Sequence, residues 1–209
     1  MSFITPEYKA SFARLRTAEF WRNMAIYFCV FSIVGHLMEI PYCMFNSYFF
    51  DIVDRNGGVL TDYPLKPYMV YGFCVVFCII FVGPFKDDLL KRRRDFAFAL
   101  VDFYIIAVLA SMCFELAQGF LQNMPDENGV YPLWDNSHLP GNILGQAWIV
   151  NDILLGGVMT LFVWGLYPLC ERGLARMSQK QLWIMAIVFV VEFIVLVLVT
   201  YGIVPVTVT

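Results

Sequence analysis

Charged residues are scarce in this chain. They make up only 15% of its 209 residues, compared with roughly 25% in ordinary soluble domains. The basic residues lie in short loops and form no patch, so nucleic-acid binding is not expected. A soluble core of this size could not enclose the 60% of residues that are hydrophobic, whereas a lipid bilayer can accommodate them. The composition therefore predicts an integral membrane protein whose first partner is the bilayer.

Sequence motifs for enzymatic chemistry are also missing. There is no GxxxxGK phosphate loop followed by Ser or Thr, and no GxSxG serine elbow. Asp135, Ser137 and His138 invite comparison with a catalytic triad, but side chains this close in sequence rarely form one. The six cysteines lie in or beside apolar runs without a CxxC pair, which favours buried thiols over disulfides. No cofactor is predicted, and a non-enzymatic role is favoured.

Five long apolar runs predict membrane-spanning helices. Each is close to or longer than the roughly 20 residues that a helix needs to cross the hydrocarbon. The fold class is therefore an all-α integral membrane protein with one transmembrane domain over residues 1–209. Residues 1–20 combine basic and apolar side chains after a helix-start signal, and predict an amphipathic helix along the membrane surface. The spanning helices are expected at about residues 21–45, 66–86, 95–122, 147–169 and 182–204.

The basic residues predict the orientation of these helices. Twelve of the 14 lie in three segments: the N-terminal segment up to Arg22, residues 86–94, and residues 172–180. With five spans, these segments share one side of the membrane, and the excess of Lys and Arg marks that side as cytoplasmic. The N-terminus is therefore expected in the cytoplasm and the C-terminus outside, in a multi-pass protein of the cell membrane.

The outer loop at residues 122–146 has an unusual composition. It combines turn-forming Pro and Gly residues with Tyr131, Trp134, Asp135 and His138. We expect an ordered loop that caps the outer mouth of the helices. The alternative is that its Trp and Tyr side chains anchor the protein in the headgroup layer.

Polar side chains concentrate in the outer half of the predicted helices. His36 and Glu39 share one face of the first helix, which Pro41 loosens directly afterwards. Glu39 and Glu115 lie roughly 10 Å from their helix ends, at 1.5 Å per residue, and carboxylates at that depth should avoid lipid. Asp102 and Glu192 lie at other depths and receive no role. The pattern predicts an outward-facing polar cavity whose substrate-binding residues are His36, Glu39, Tyr71, Glu115, Gln118, Trp134, Asp135, Asn142, Gln146 and Asp152.

Three uses of this cavity remain open. The polar side chains could bind a small polar or amphipathic substrate, which needs a few polar groups in an apolar concavity. They could instead join helices through internal hydrogen bonds, without any ligand. A metal site is the third alternative, with His36, Glu39, Glu115 and His138 as ligands, although no HExxH-type spacing supports it.

Five short motifs follow one another along the chain: Gly35–Tyr42, Pro67–Phe73, Glu115–Gly119, Leu133–Ser137 and Gly141–Gln146. Their order and spacing resemble the CmpB-type family of ABC-transporter permeases and the eukaryotic transmembrane protein 229 group. The resemblance covers about residues 24–170, which leaves the helix at 182–204 as an extra element. Asn136 stands where the family usually has tyrosine, and Gln146 stands where it usually has arginine. The arginine would be a natural partner for Glu39 or Glu115, so its loss bears on the substrate.

The resemblance implies a bundle of transmembrane helices with a transport role. Because the chain lacks a phosphate loop, a separate ATPase or another membrane subunit is the expected partner, and a homo-oligomer is left open. The alternatives are an intramembrane metal- or lipid-handling protein or enzyme, and an accessory subunit of a membrane complex without its own ligand.

Overall fold

The computed structural model describes residues 12–50, 58–93 and 95–203 of the chain. These residues are overwhelmingly helical, with one short hairpin. Two π-helical segments lie at Cys78–Val82 and Phe162–Leu166. After a 3-10 helix at Phe12–Arg16, the elements are α1 (Ala18–Phe50), α2 (Gly58–Thr61), α3 (Met69–Phe77), α4 (Gly83–Arg92), α5 (Phe96–Gln122), β1 (Asn142–Ile143), β2 (Ala147–Trp148), α6 (Ile149–Leu161), α7 (Tyr167–Leu174) and α8 (Gln179–Thr200).

Five helical stretches in the described part of the chain are long and apolar enough to cross a membrane. They are Ala18–Phe50, Met69–Arg92, Phe96–Gln122, Ile149–Leu174 and Gln179–Thr200. The prediction of an all-α protein with five spanning helices is therefore confirmed. The surface helix expected over residues 1–20 falls largely on residues 1–11, which lie outside the described residues.

The helix ends follow local sequence signals. The Asp95 side chain accepts a hydrogen bond from the backbone N–H of Ala97, which caps the start of α5. At the start of α8, Ser178 and Gln181 form a reciprocal capping box. Because these caps satisfy backbone donors that would otherwise lack partners, α5 and α8 begin at defined residues next to the membrane.

Proline shapes three of the long helices without ending them. α1 continues through Pro41 to Phe50, five residues beyond its predicted end. Each π-helical segment ends two residues before a proline, Pro84 or Pro168. A proline lacks an N–H and its ring clashes with the carbonyl four residues earlier, so the preceding turn widens.

The last helix, α8, shows most clearly how lipid replaces a protein core. In its most apolar stretch only 11% of the residues are buried within the protein. Large side chains such as Trp183, Ile187 and Val191 are about half exposed. In water such a surface would promote association, whereas in a bilayer it is the expected outer face of a spanning helix.

The chain forms two compact units, and each is considered separately. Among the described residues, the first comprises 12–50, 58–80 and 171–203, and the second comprises 81–93 and 95–170. In the first unit α1 packs against α3 and α8. The Phe28 ring of α1 lies 4.9 Å from that of Phe73 and 5.4 Å from that of Phe193.

Gly35 and Gly72 bring α1 and α3 into close contact. A Cβ atom at Gly35 would overlap the Tyr71 ring, and one at Gly72 would lie 2.7 Å from the carbonyl oxygen of Phe28. The close approach of α3 therefore requires a residue without a side chain at position 35.

In the second unit, α5 packs antiparallel against α6. A Cβ atom at Gly156 would lie 2.9 Å from the backbone nitrogen of Val108. The Tyr104 hydroxyl donates to the carbonyl oxygen of Ile153 at 3.0 Å. The two helix backbones therefore come close together at the level of Gly156.

Replacing Gly35 by alanine is expected to destabilise the protein by about 1–3 kcal/mol, the usual cost of overpacking a tight contact. Thermal unfolding of the purified protein in mild detergent would measure this loss. Gly173→Ala is the control, because a Cβ atom there meets nothing within 4 Å. Equal stability of the two variants would contradict the close contact between α1 and α3.

Candidate functional site

The predicted site residues are divided between the two units. The first unit holds His36, Glu39 and Tyr71. The other seven belong to the second unit, where they lie on α5, in the loop after it, on the β hairpin and on α6. These are Glu115, Gln118, Trp134, Asp135, Asn142, Gln146 and Asp152.

His36 uses both ring nitrogens for contacts with the segment that follows α1. Its Nδ1 lies 3.0 Å from the carbonyl oxygen of Lys66, and its Nε2 lies 3.3 Å from that of Val59. The fully buried ring stacks on Tyr68 with centroids 4.1 Å apart and an angle of 9°. Since both nitrogens face acceptors, the imidazolium form could donate to both and the neutral form to only one.

Asp62 extends this network towards the surface. It accepts hydrogen bonds from the Lys66 ammonium at 2.7 Å and from the Tyr68 hydroxyl at 2.8 Å. Burial raises the pKa of the Asp62 carboxyl, but these two donors and the Lys66 charge outweigh it and hold the pKa below its usual value of 3.8. The Lys66 ammonium also lies 4.8 Å from the Tyr201 ring centroid. The network therefore ties α1 and its following loop to the C-terminal end of α8.

Glu39 lies one turn after His36 and contacts a different partner. The Tyr71 hydroxyl is within hydrogen-bonding reach of the Glu39 carboxylate. Tyr71 is also the residue whose ring packs on Gly35. The structure thus brings Glu39 and Tyr71 together, as the site prediction grouped them, at the contact between α1 and α3.

The loop after α5 is ordered around Asn123. This side chain is fully buried, and its Oδ1 accepts from the backbone N–H groups of Leu133 (2.8 Å) and Trp134 (3.2 Å). Its Nδ2 donates to the Trp134 carbonyl oxygen and to Gln146 Oε1, at 2.8 and 2.9 Å. One amide therefore joins the end of α5 to two later parts of the loop.

Gln146 completes the same network. Its Nε2 donates to the carbonyl oxygen of Asn123 at 2.8 Å. Its own carbonyl oxygen accepts from Trp134 Nε1 at 2.9 Å and from Asn136 Nδ2 at 2.7 Å. The Asn136 side chain and the Gln146 backbone therefore contact each other, and Gln146 is used within the loop.

The β hairpin carries Gln146 into this position through a tight turn. β1 pairs antiparallel with β2, and both Leu144 (φ 57°) and Gly145 (φ 69°) have left-handed backbone conformations. The Asn142 side chain supports the turn by accepting from the N–H of Gly145 at 3.1 Å and donating to the carbonyl oxygen of Leu139 at 2.7 Å. Asn142 thus positions the turn.

Glu115 and Asp152 form a pair of facing carboxyl groups between α5 and α6. Glu115 accepts from Asn151 Nδ2 at 2.9 Å and from the backbone N–H of Trp148 at 3.4 Å. Asp152 is fully buried, and its carboxyl lies within hydrogen-bonding reach of Glu115. Among the described residues, no N–H or O–H group donates to either Asp152 oxygen. No basic side chain of these residues contacts the pair.

The remaining predicted residues have simpler surroundings. Gln118 is half-buried, and its side chain makes no hydrogen bond to another described residue. Asp135 accepts from the N–H of Ser137 at 2.9 Å, and His138 is exposed. In the described part of the chain, no three His, Cys, Asp or Glu side chains are grouped to hold a metal ion.

Some important residues were not identified as site residues from the sequence. Asn123, Asp62, Lys66 and Tyr68 all lie close to helix ends or in loops, where polar residues are common. Asp102, which had no predicted role, pairs with Arg93 at 2.6 Å. The partners of these residues are seen only in the folded structure. No sequence signal distinguishes them from loop residues that face solvent.

Asn123→Ala is expected to destabilise the protein by about 2 kcal/mol or more, because it leaves several buried polar groups without partners. Limited proteolysis should then cut within residues 123–148 faster than in the unmodified protein. His138→Ala, at an exposed position in the same loop, is the control. If both variants resist the protease equally, Asn123 does not organise the loop.

Comparison with known protein families identifies the family of this chain. The sequence profile of the family described as "Putative ABC-transporter type IV" matches residues 26–201. The match includes α8, whereas the resemblance carried by the motifs ended at about residue 170. No curated protein and no solved structure matches the sequence. With a match over most of its length and five helices able to cross a membrane, the chain belongs to this ABC-transporter-type family of multi-pass membrane proteins.

Proposed function

We propose that the protein is the membrane subunit of a transporter and binds a small polar or amphipathic substrate. The family supports a transport role, and the five apolar helices support a position within the bilayer. A separate ATPase would supply energy, because this chain has no phosphate loop.

The carboxyl pair of Glu115 and Asp152 is the observation that carries this proposal. A helix–helix contact made only for stability would be expected to give each buried polar atom a partner. Asp152 instead receives no N–H or O–H donor from the described residues, at full burial. Intramembrane carboxyl groups of this kind commonly mark ligand or ion pathways. They favour a substrate that donates hydrogen bonds, such as an amine.

Five of the other predicted residues have one of two roles in this proposal. Glu39 and Tyr71 remain candidates for substrate contact, at the α1–α3 contact of the first unit. Asn142, Gln146 and Trp134 position the outer loop through their internal hydrogen bonds. Substituting these residues would therefore change substrate binding indirectly, by changing the shape of the loop.

The proposal includes an orientation in the cell membrane, with the N-terminus in the cytoplasm and the loop at residues 123–148 outside. Ser137 and Lys91 are both exposed, and they are assigned to opposite sides of the membrane. Ser137 lies in the loop after α5, and Lys91 lies in the last turn of α4. In intact cells, a membrane-impermeant maleimide should label Ser137→Cys, and should label Lys91→Cys only after permeabilisation.

The unmodified chain, with its six natural cysteines, gives the background labelling. The opposite pattern would reverse the orientation. Absence of labelling at both positions in intact cells, with labelling after permeabilisation, would contradict a place in the cell membrane.

Co-purification tests the transporter role. The tagged full chain, extracted from its native cells in mild detergent, is expected to bring a separate ATPase subunit with it, identified by mass spectrometry. An unrelated tagged membrane protein serves as the control. A chain that is isolated alone would contradict the proposal, and a stoichiometric transition metal in elemental analysis would favour the metal-handling alternative.

A further inference from the structure

The Glu115–Asp152 pair has a chemical requirement that goes beyond the proposed function. Asp152 lies in the first turn of α6 and is fully buried. Glu115 faces it from α5, seven residues before that helix ends. Two carboxylates cannot hydrogen-bond to each other, because neither carries a hydrogen to donate. The observed contact therefore becomes a hydrogen bond only when one of the two groups is protonated.

The described groups around the pair supply no positive charge. From α6, the Asn151 amide donates to Glu115, and from β2 the Trp148 backbone N–H does so. Both donors are neutral, and both reach Glu115. Across α5, α6 and the hairpin of this unit, Asp152 is the titratable group that faces Glu115, and Glu115 is the one that faces Asp152.

Close packing of the helices prevents the carboxyl groups from separating easily. Gly156 follows Asp152 by four residues and lies on the same face of α6. It brings α6 against the backbone of Val108, and the Tyr104 hydroxyl holds the carbonyl of Ile153. Relaxation that moves two like charges apart is therefore opposed by contacts one turn away.

We propose that Glu115 and Asp152 form a proton-binding site, in which the two carboxyl groups share one proton. The proton supplies the donor that Asp152 lacks and removes one of two negative charges from a buried pair that no basic side chain of the described residues contacts. While no substrate donates a hydrogen bond to the pair, the ligand of this site is thus a proton. The inference does not depend on an ATPase partner.

A proton-binding site at the α5–α6 contact makes that contact sensitive to pH. While the proton is bound, the carboxyl groups attract each other through a hydrogen bond. When alkaline pH removes it, two carboxylates face each other and repel. The packing of α5 on α6 should then weaken, and stability should fall as pH rises.

Infrared spectroscopy of the purified full chain tests the proposal directly. A protonated carboxyl has a C=O absorption that an ionised carboxylate lacks, and it shifts in D2O. Difference spectra at neutral pH between the unmodified protein and Glu115→Gln, and between it and Asp152→Asn, should each show the loss of one such absorption. Each variant retains a hydrogen-bond donor in place of the proton, so folding should be preserved.

Asp102→Asn is the matched control, because Asp102 also lies on α5 but forms an ion pair with Arg93. Its spectrum should keep the absorption. Stability in the unmodified protein should also fall towards alkaline pH more steeply than in Glu115→Gln. Failure of both single variants to lose the absorption, or identical stability profiles, would overturn the proton site. Neither result bears on whether an ATPase co-purifies.

Discussion

A hydrocarbon environment offers no water to a polar group, so each polar atom between membrane helices must find its partner within the protein. This constraint accounts for most of the polar contacts in both units. In the first unit the ring nitrogens of His36 lie against two backbone carbonyls. In the second, Asn123 uses both its oxygen and its nitrogen. Asp152 departs from this constraint with both of its carboxyl oxygens, because a facing carboxyl meets it where a donor is expected.

Glycine determines where such contacts can form. Side-chain polar groups meet across a helix pair only if the backbones approach closely, and in membranes small residues permit that approach. Gly35 admits the Tyr71 ring to the surface of α1, one turn before Glu39. Gly156 admits the backbone of α5, one turn after Asp152. In both units a residue without a side chain thus lies beside the carboxylate that was predicted from the sequence.

The residues predicted to line the polar cavity show which features of a site can be predicted from sequence and which cannot. His36, Glu39 and Asp152 were identified because charge and polarity are costly within an apolar run. That argument gives their depth but not their partners. Gln146 was expected to face a substrate, yet it bonds to Asn123 and supports the loop. Asn123 itself was missed, because a polar residue just after a helix is ordinary in sequence.

The sequence by itself determined the class of this protein, the number of its spanning helices and the approximate ends of each. Those properties depend on hydrophobicity summed along the chain and on local helix caps. Both are determined by residues that are neighbours in the sequence. Only the tertiary structure decided which polar groups meet. The Glu115–Asp152 pair joins residues far apart in sequence, and its contact depends on the Gly156 packing and on the hairpin that brings the N–H of Trp148 to Glu115. Such contacts result from packing in three dimensions, for which the chain has no local signal.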